Sequence, residues 1–257
     1  MAGRQTAGIM DGWDEIKAWR GARRAELVAR RESFSIEERR AWGARITALL
    51  TEGFPMFSGM TVGFCWPYRG EFDARFAVRH WRDRGARAAL PEVKAAREPL
   101  RFRIWWPGAP MKRGVYGIPF PDGTEIVQPD AVLAPMNGYD AQGYRLGYGG
   151  GYFDRTLAAL APKPLSVGVT YSALRLATIH PQPHDVPMDF VVTEAGISAV
   201  QDGALVAIDP LQCRERAGRL AAARGLPRRT GGSGPVECSS PPCYAAEFPG
   251  YFGGEEK

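Results

Sequence analysis

DAVLAPMNGYDAQGYRLGYGGGYFDRTLAALAPKPLSVGVTY, residues 130–171, reads in order as a short apolar strand, a glycine-rich turn, a helix and a second apolar strand. That order is a βαβ unit, in which the two strands run parallel and the helix crosses one face of the sheet. Inside it, Gly147, Gly149, Gly150 and Gly151 fill four of five consecutive positions, interrupted by Tyr148 and bracketed by Arg145 and Arg155. Glycine loses the most backbone freedom on ordering, so a cluster of this kind needs a cause. In open α/β sheets ligands sit beyond the carboxyl ends of the strands, where bare N–H groups and a helix N-terminus attract anions. The turn therefore suits a polyphosphate, with Arg145 able to add a charge-assisted bond and Asp154 able to hold a counter-cation. A turn that merely packs closely is the alternative. The spacing matches neither G-x-x-x-x-G-K-[ST] nor a dinucleotide-binding G-x-G-x-x-G.

Outward from this unit the same alternation continues. Towards the N-terminus, 14–31 is helix-compatible, and Ser35 followed by Glu38 is a capping box that starts a second helix. GMTVGFCWP, ARAALP and PLRFRIW read as strands, with a helix across DARFAVRHWRDRGA, and MDFVVTE reads as a last short strand. The expected fold is a three-layer α/β/α open, mostly parallel sheet with crossover helices. It should occupy residues 14–209. Beyond it, six arginines and one glutamate between Arg214 and Arg229 lead into TGGSGP and a proline-rich, cysteine-containing end. Residues 210–257 are accordingly expected to be a flexible linker and tail, free to engage a protein partner.

Composition narrows the function classes. Of 257 residues, 45% are hydrophobic and 24% charged, an ordinary globular balance, and the net charge of +5 suits an anionic ligand. Aromatics are not interleaved with lysines in a stripe, which argues against a nucleic-acid platform. No apolar run is long enough for a membrane span, and no apolar signal segment opens the chain. Four cysteines without a framework fit a reducing cytoplasm. His180, His184 and Asp185 lack zinc-site spacing and no serine sits in a nucleophile elbow, so a loop role beside the cation is expected for them.

DAQGYRLGYGGGYFDR resembles the signature of the 5-formyltetrahydrofolate cyclo-ligase family, roughly FD-xx-G-x-RLG-x-G-x-GYYDR. Here Tyr139 stands for the usual Phe and Phe153 for the second Tyr. ELVARRESFSIEERRAW, WPYRGEFDARF, GVYGIPFP and HDVPMDFVVTE resemble further family elements in the same order, over about residues 17–195. The resemblance implies ATP- and Mg²⁺-dependent conversion of 5-formyltetrahydrofolate to 5,10-methenyltetrahydrofolate with release of ADP and phosphate. It implies ATP contacts at Arg145, Leu146, Gly147, Tyr148, Gly149, Gly150, Gly151, Tyr152 and Phe153, and Mg²⁺ ligands at Asp154 and Asp189. Counting back from Ser35, Arg24 falls on the family's arginine and Arg20 on its lysine, both directed at ATP. Glu71, Tyr116 and Tyr152 fall on the reduced-folate side. For each residue a plainer role stands beside the implied one. Asp154 could serve the helix dipole, Glu71 a helix N-terminus, Asp189 a turn, Arg20 and Arg24 a solvated basic face, and Tyr116 simple packing. Two other functions fit parts of the chain: the same cradle serving another formyl or amide substrate, or a noncatalytic nucleic-acid binder using the basic helix and tail.

Overall fold

The computed structural model describes residues 12–227. Five helices form: α1 (Trp13–Glu32), α2 (Ile36–Gly53), α3 (Arg75–Arg82), α4 (Tyr152–Ala159) and α5 (Pro210–Ala223). The first strands are β1 (Thr61–Gly63), β2 (Arg87–Glu92), β3 (Arg101–Trp105), β4 (Met111–Arg113), β5 (Pro119–Pro121) and β6 (Ile126–Val127). The remainder are β7 (Ala131–Pro135), β8 (Gly138–Tyr139), β9 (Arg145–Leu146), β10 (Leu165–Val169), β11 (Phe190–Thr193), β12 (Gly196–Gln201) and β13 (Ala204–Ile208).

The main sheet has nine strands in the order β13-β12-β11-β10-β7-β1-β2-β3-β6. Its centre, β2-β1-β7-β10-β11, is parallel throughout, as the βαβ pattern requires. Antiparallel strands flank it, β12 and β13 on one side and β3 and β6 on the other. Both faces of the centre are covered, so its strands read as continuous apolar runs. In β7, Ala131 and Leu133 enter the large core with Leu50, Phe54 and Trp81, whereas Val132 and Ala134 point to smaller clusters that include Phe102 and Leu157. Helices α2, α3 and α5 lie against the first face. Helix α4 lies on the other, where the Thr156 hydroxyl accepts the Leu100 N–H at 2.8 Å. The expected three layers are therefore present.

The chain leaves β1 through α3 to β2 on one side, and leaves β7 through α4 to β10 on the other. This reversal between neighbouring β1 and β7 is a topological switch point, where the loops diverge and open a crevice at the strand ends. Residues just after β1 (Cys65, Trp66) and at the end of β7 (Pro135) line that crevice.

The boundary expected at 209/210 is corrected. Asp209 and Gln212 form a reciprocal capping box with Pro210 in the first turn of α5. Cys213, Ala217 and Ala221 then enter the large core. Arginines at 214, 216, 219 and 224 had marked this segment as tail, but they occupy the outward and terminal positions of an amphipathic helix. The rest of the expected tail, 228–257, lies outside the described residues, as do Cys238 and Cys243. Among the described residues no helix is long and apolar enough to cross a membrane.

Candidate functional site

Three segments converge on the crevice. The first is the glycine turn, placed by the small β8–β9 ladder, in which Gly138 pairs with Leu146 and Tyr139 with Arg145. Leu146 is 1% exposed and anchors the turn in the core. Gly149 (φ +94°) and Gly151 (φ +62°) adopt left-handed conformations, and a Cβ on Gly150 would stand 2.7 Å from the Tyr152 ring. Gly151 is also the N-cap of α4 and supplies no capping side chain. The first N–H groups of that helix are thus left for solvent or a ligand.

The second segment is α1, whose Arg20, Arg24 and Arg31 follow one another at helical spacing; Arg20 and Arg24 line the crevice, and Arg31 is buried behind its wall. A Cβ on Gly138 would come within 2.6 Å of Leu27, so this glycine lets α1 pack directly on the β8 backbone. Arg24 Nε donates to the Gly147 carbonyl at 2.7 Å, and its Cζ lies 3.1 Å from where a Gly149 Cβ would be. Burial and the neighbouring Arg20 charge both lower the Arg24 pKa, a cost that an anion would relieve. Arg24 forms no carboxylate pair among the described residues. Arg20, by contrast, is fully engaged: it donates to the Ile179 carbonyl (3.0 Å), the His180 carbonyl (2.9 Å) and Asp185 (2.5 Å). It lines the crevice, but it holds the 179–185 loop rather than presenting free donors.

Arg145 is likewise committed. Its Nη2 meets Asp154 Oδ2 at 2.7 Å and its Nη1 donates to the Val186 carbonyl at 3.2 Å. Burial lowers its pKa, and the Asp154 and Asp185 carboxylates oppose that. Asp154 also accepts the Val186 N–H at 3.0 Å. Its side chain remains 17% exposed, at the mouth of the glycine turn. This donor set fits a hard divalent cation only in one form: one carboxylate, with waters and phosphate oxygens completing the octahedron. Among the described residues no cluster of three or more His, Cys, Asp or Glu stands ready as a cage.

Asp189 is not part of the site. It precedes β11, at the amino ends of the parallel strands and thus opposite the crevice. Its carboxylate takes a bidentate pair from Arg224, both contacts 2.8 Å, and accepts the Ser166 N–H and hydroxyl. The expected ligand is a structural ion pair, formed because α5 folds back on the sheet.

The third segment carries the apolar end. Glu71 sits after β1 with its side chain 5% exposed. It accepts from the Tyr148 hydroxyl at 2.9 Å and the Tyr68 N–H at 3.1 Å. Burial raises its pKa, opposed by Arg31 and Tyr148. Tyr116, carried by the β4–β5 hairpin at φ +63°, is 71% exposed above the crevice. Its hydroxyl adjoins that of Tyr152, whose own pKa is raised chiefly by that contact. Trp66, Trp105 and Phe120 complete the wall. Phe153 packs below, with the Arg145 guanidinium 5.5 Å from its ring centre.

Arg31, a further arginine of the basic helix, is 1% exposed and stands just behind the crevice wall, bonded to Tyr148. Its helical register with Arg20 and Arg24, eleven and seven residues away, was the available signal. Asp185, expected in a loop beside the cation, lines the crevice and pairs with Arg20. Asn137 also enters here, accepting from Arg31, and no local pattern marks it.

A sequence model of the 5-formyltetrahydrofolate cyclo-ligase family matches residues 16–194. A 5-formyltetrahydrofolate cyclo-ligase of Haemophilus influenzae is 34% identical over 95 residues, 35% of this chain and 51% of the relative. One from Mycolicibacterium smegmatis is 32% identical over 127 residues, 46% of this chain and 65% of the relative. The chain thus spans between half and two thirds of the length of these relatives. The solution structure of Aquifex aeolicus 5,10-methenyltetrahydrofolate synthetase superposes with a TM-score of 0.62 at 28% identity, covering 74% of this chain and 96% of that one.

Proposed function

Because the chain belongs to the 5-formyltetrahydrofolate cyclo-ligase family, we propose that it converts 5-formyltetrahydrofolate to 5,10-methenyltetrahydrofolate, consuming ATP with Mg²⁺ and releasing ADP and phosphate. The observation that carries the reading is Arg24. It is a half-buried cation without a carboxylate partner among the described residues, laid against left-handed Gly149 near an uncapped helix N-terminus. Such an arrangement is costly empty and favourable around a polyphosphate.

The chemistry explains the division of the crevice into two ends. A formyl oxygen on nitrogen is amide-like and leaves poorly, so it is first phosphorylated. N10 then attacks the activated carbon and phosphate departs. Phosphoryl transfer asks the protein mainly for positioning and charge neutralisation. Arg24, the turn N–H groups and the α4 N-terminus would hold the nucleotide phosphates. Asp154 would hold Mg²⁺, which when bound neutralises phosphate charge, and Arg145 keeps that carboxylate oriented. Glu71 would accept hydrogen bonds from the pterin, with Tyr116, Tyr152 and Trp66 covering its rings. The reading includes a cytoplasmic setting, which the free thiols of Cys65 and Cys213 suit.

The test mixes the full chain with 5-formyltetrahydrofolate, ATP and Mg²⁺ and follows the methenyl product by its near-ultraviolet absorbance. ATP-dependent product is expected. ATP binding without product would move the reading to another formyl or amide substrate.

A further inference from the structure

Arg31 is an almost fully enclosed charge behind the crevice wall, and its partners form a directed chain. Its Nε donates to the Arg69 carbonyl (2.9 Å), its Nη1 to Asn137 Oδ1 (2.8 Å) and its Nη2 to the Tyr148 hydroxyl (2.8 Å). The Tyr148 hydroxyl in turn donates to Glu71 Oε1 at 2.9 Å, while Arg31 Nη2 stays 3.8 Å from the same carboxylate. A guanidinium can only donate, and an ionised carboxylate can only accept. The tyrosine proton therefore has one permitted direction, towards Glu71. Tyr148 is also embedded in the glycine turn, and its ring remains 50% exposed to the crevice.

We propose that Arg31 is a positioning residue: by fixing the Tyr148 hydroxyl as donor to Glu71, it locks the substrate-side carboxylate and the nucleotide-side glycine turn into one rigid unit. The proposal rests on the function proposed above for the names of the two ligands, but not for the coupling itself. Charge supports the geometry. Burial pushes Glu71 up, and Arg31 followed by the Tyr148 hydrogen bond pulls it back down. The other groups facing this cluster are Cys65 beside Glu71, Tyr68 and Arg69 beside Tyr148, and Glu32, Tyr171 and Arg39 on the Arg31 side. Neither Cys65 nor Tyr171 ionises readily, because burial raises both. Arg31 is thus the main charge that draws Glu71 back towards its ionised form, although burial still leaves the net shift upward.

The experiment uses the full chain with carbon-13 in its glutamate carboxyls and follows Glu71 through a pH titration without ligand. Glu71→Gln identifies the resonance. Tyr148→Phe keeps the ring and removes both hydrogen bonds. The expected result is an upward move of the Glu71 midpoint by about one pH unit, a tenfold change in its protonation equilibrium. Alongside it, affinity for 5-formyltetrahydrofolate and for ATP should each fall about tenfold, since a neutral-to-charged hydrogen bond is lost and the turn loses its tether. Arg31→Met should move all three readings further. Arg31→Lys keeps the charge without the fork and, if Arg31→Met does not fold, takes its place, with smaller shifts in the same direction. An unchanged midpoint in Tyr148→Phe, or a fall in folate affinity alone with ATP affinity intact, overturns the coupling. Wild-type protein that binds no folate would refute the proposed function, and the titration and the ATP arm would still decide this inference.

Discussion

Alanine at Gly149, compared with alanine at Gly147, separates two reasons for the glycine turn. Gly149 has φ +94°, and a Cβ there would lie 3.1 Å from Arg24 Cζ and 3.3 Å from its Nη1. An L-residue forced into this region costs about 1–3 kcal/mol. The contact itself falls on the end of a flexible side chain, so Arg24 would swing aside, stretching its bond to the Gly147 carbonyl. For a body of this size each kcal/mol lowers Tm by roughly 2–4 °C, so Gly149→Ala should melt roughly 2–12 °C below wild type. It should also bind ATP about tenfold or more weakly, since the displaced guanidinium can no longer meet the phosphates. Gly147 has no left-handed φ and meets nothing within 4 Å. Gly147→Ala should therefore melt within about 1 °C of wild type, surface substitutions of this kind costing under roughly 0.5 kcal/mol. Its methyl group would stand in the crevice and weaken ATP nonetheless. Differential scanning calorimetry and ATP titration of both variants read the two effects. Wild-type melting of Gly149→Ala would remove the left-handed turn, and wild-type ATP binding by Gly147→Ala would remove the ligand from its vicinity.

Arg24→Leu is predicted to raise the KM for ATP about 10- to 100-fold with little change in Tm, because it deletes a charge-assisted donor that no carboxylate among the described residues pairs with; steady-state kinetics check it, and an unchanged KM contradicts the cradle. Asp154→Asn is predicted to abolish most turnover and to steepen the dependence on Mg²⁺ concentration, read by the methenyl assay across a metal titration. Arg224→Leu is predicted to lower stability by about 3 kcal/mol without altering the KM for either ligand, since it strands a buried carboxylate far from the crevice; urea unfolding measures it. The same pair carries a pH signature. Burial raises the Asp189 pKa, but the Arg224 hydrogen bonds and charge and the Ser166 N–H outweigh it, leaving a net lowered value. A lowered carboxyl stabilises fully above the ordinary carboxylate range and loses that contribution as pH falls through its depressed value. Arg224→Leu should therefore flatten the loss of stability on acidification, and an identical pH profile would contradict the pairing.

The parallel core was legible because both of its signals are local. Each strand is a short apolar run bounded by Pro or Gly, and the glycine turn announces the strand-to-helix corner. The capping box at Ser35 and Glu38 is present as read, with contacts of 2.8 and 3.1 Å. The antiparallel flank was missed although Asp202-Gly203, both at positive φ, is a hairpin turn between the alternating runs of β12 and β13. Helix α5 was missed because its arginines outweighed an Asp-Pro-x-Gln start of the same kind as the Ser35 box. At the site, spacing brought Arg20 and Arg24 together but could not say how each guanidinium is used. That depends on loop 179–185, which arrives from far along the chain. Asp189 was misplaced and Arg31 passed over for the same reason: which end of a strand faces the crevice, and which arginine of a basic helix turns inward, are set by tertiary packing.

Arg20 is bonded to residues 159–165 positions later in the chain. At about 5–20 residues per second, helix α1 would leave the ribosome roughly 10–30 s before its partners exist. Through that interval it is a basic segment whose inward arginines have nothing to grip. The crevice can then be completed only after the 179–185 loop has been made, long after the helix that forms one of its walls. Its assembly reports that the nascent chain has been synthesised at least through the 179–185 loop.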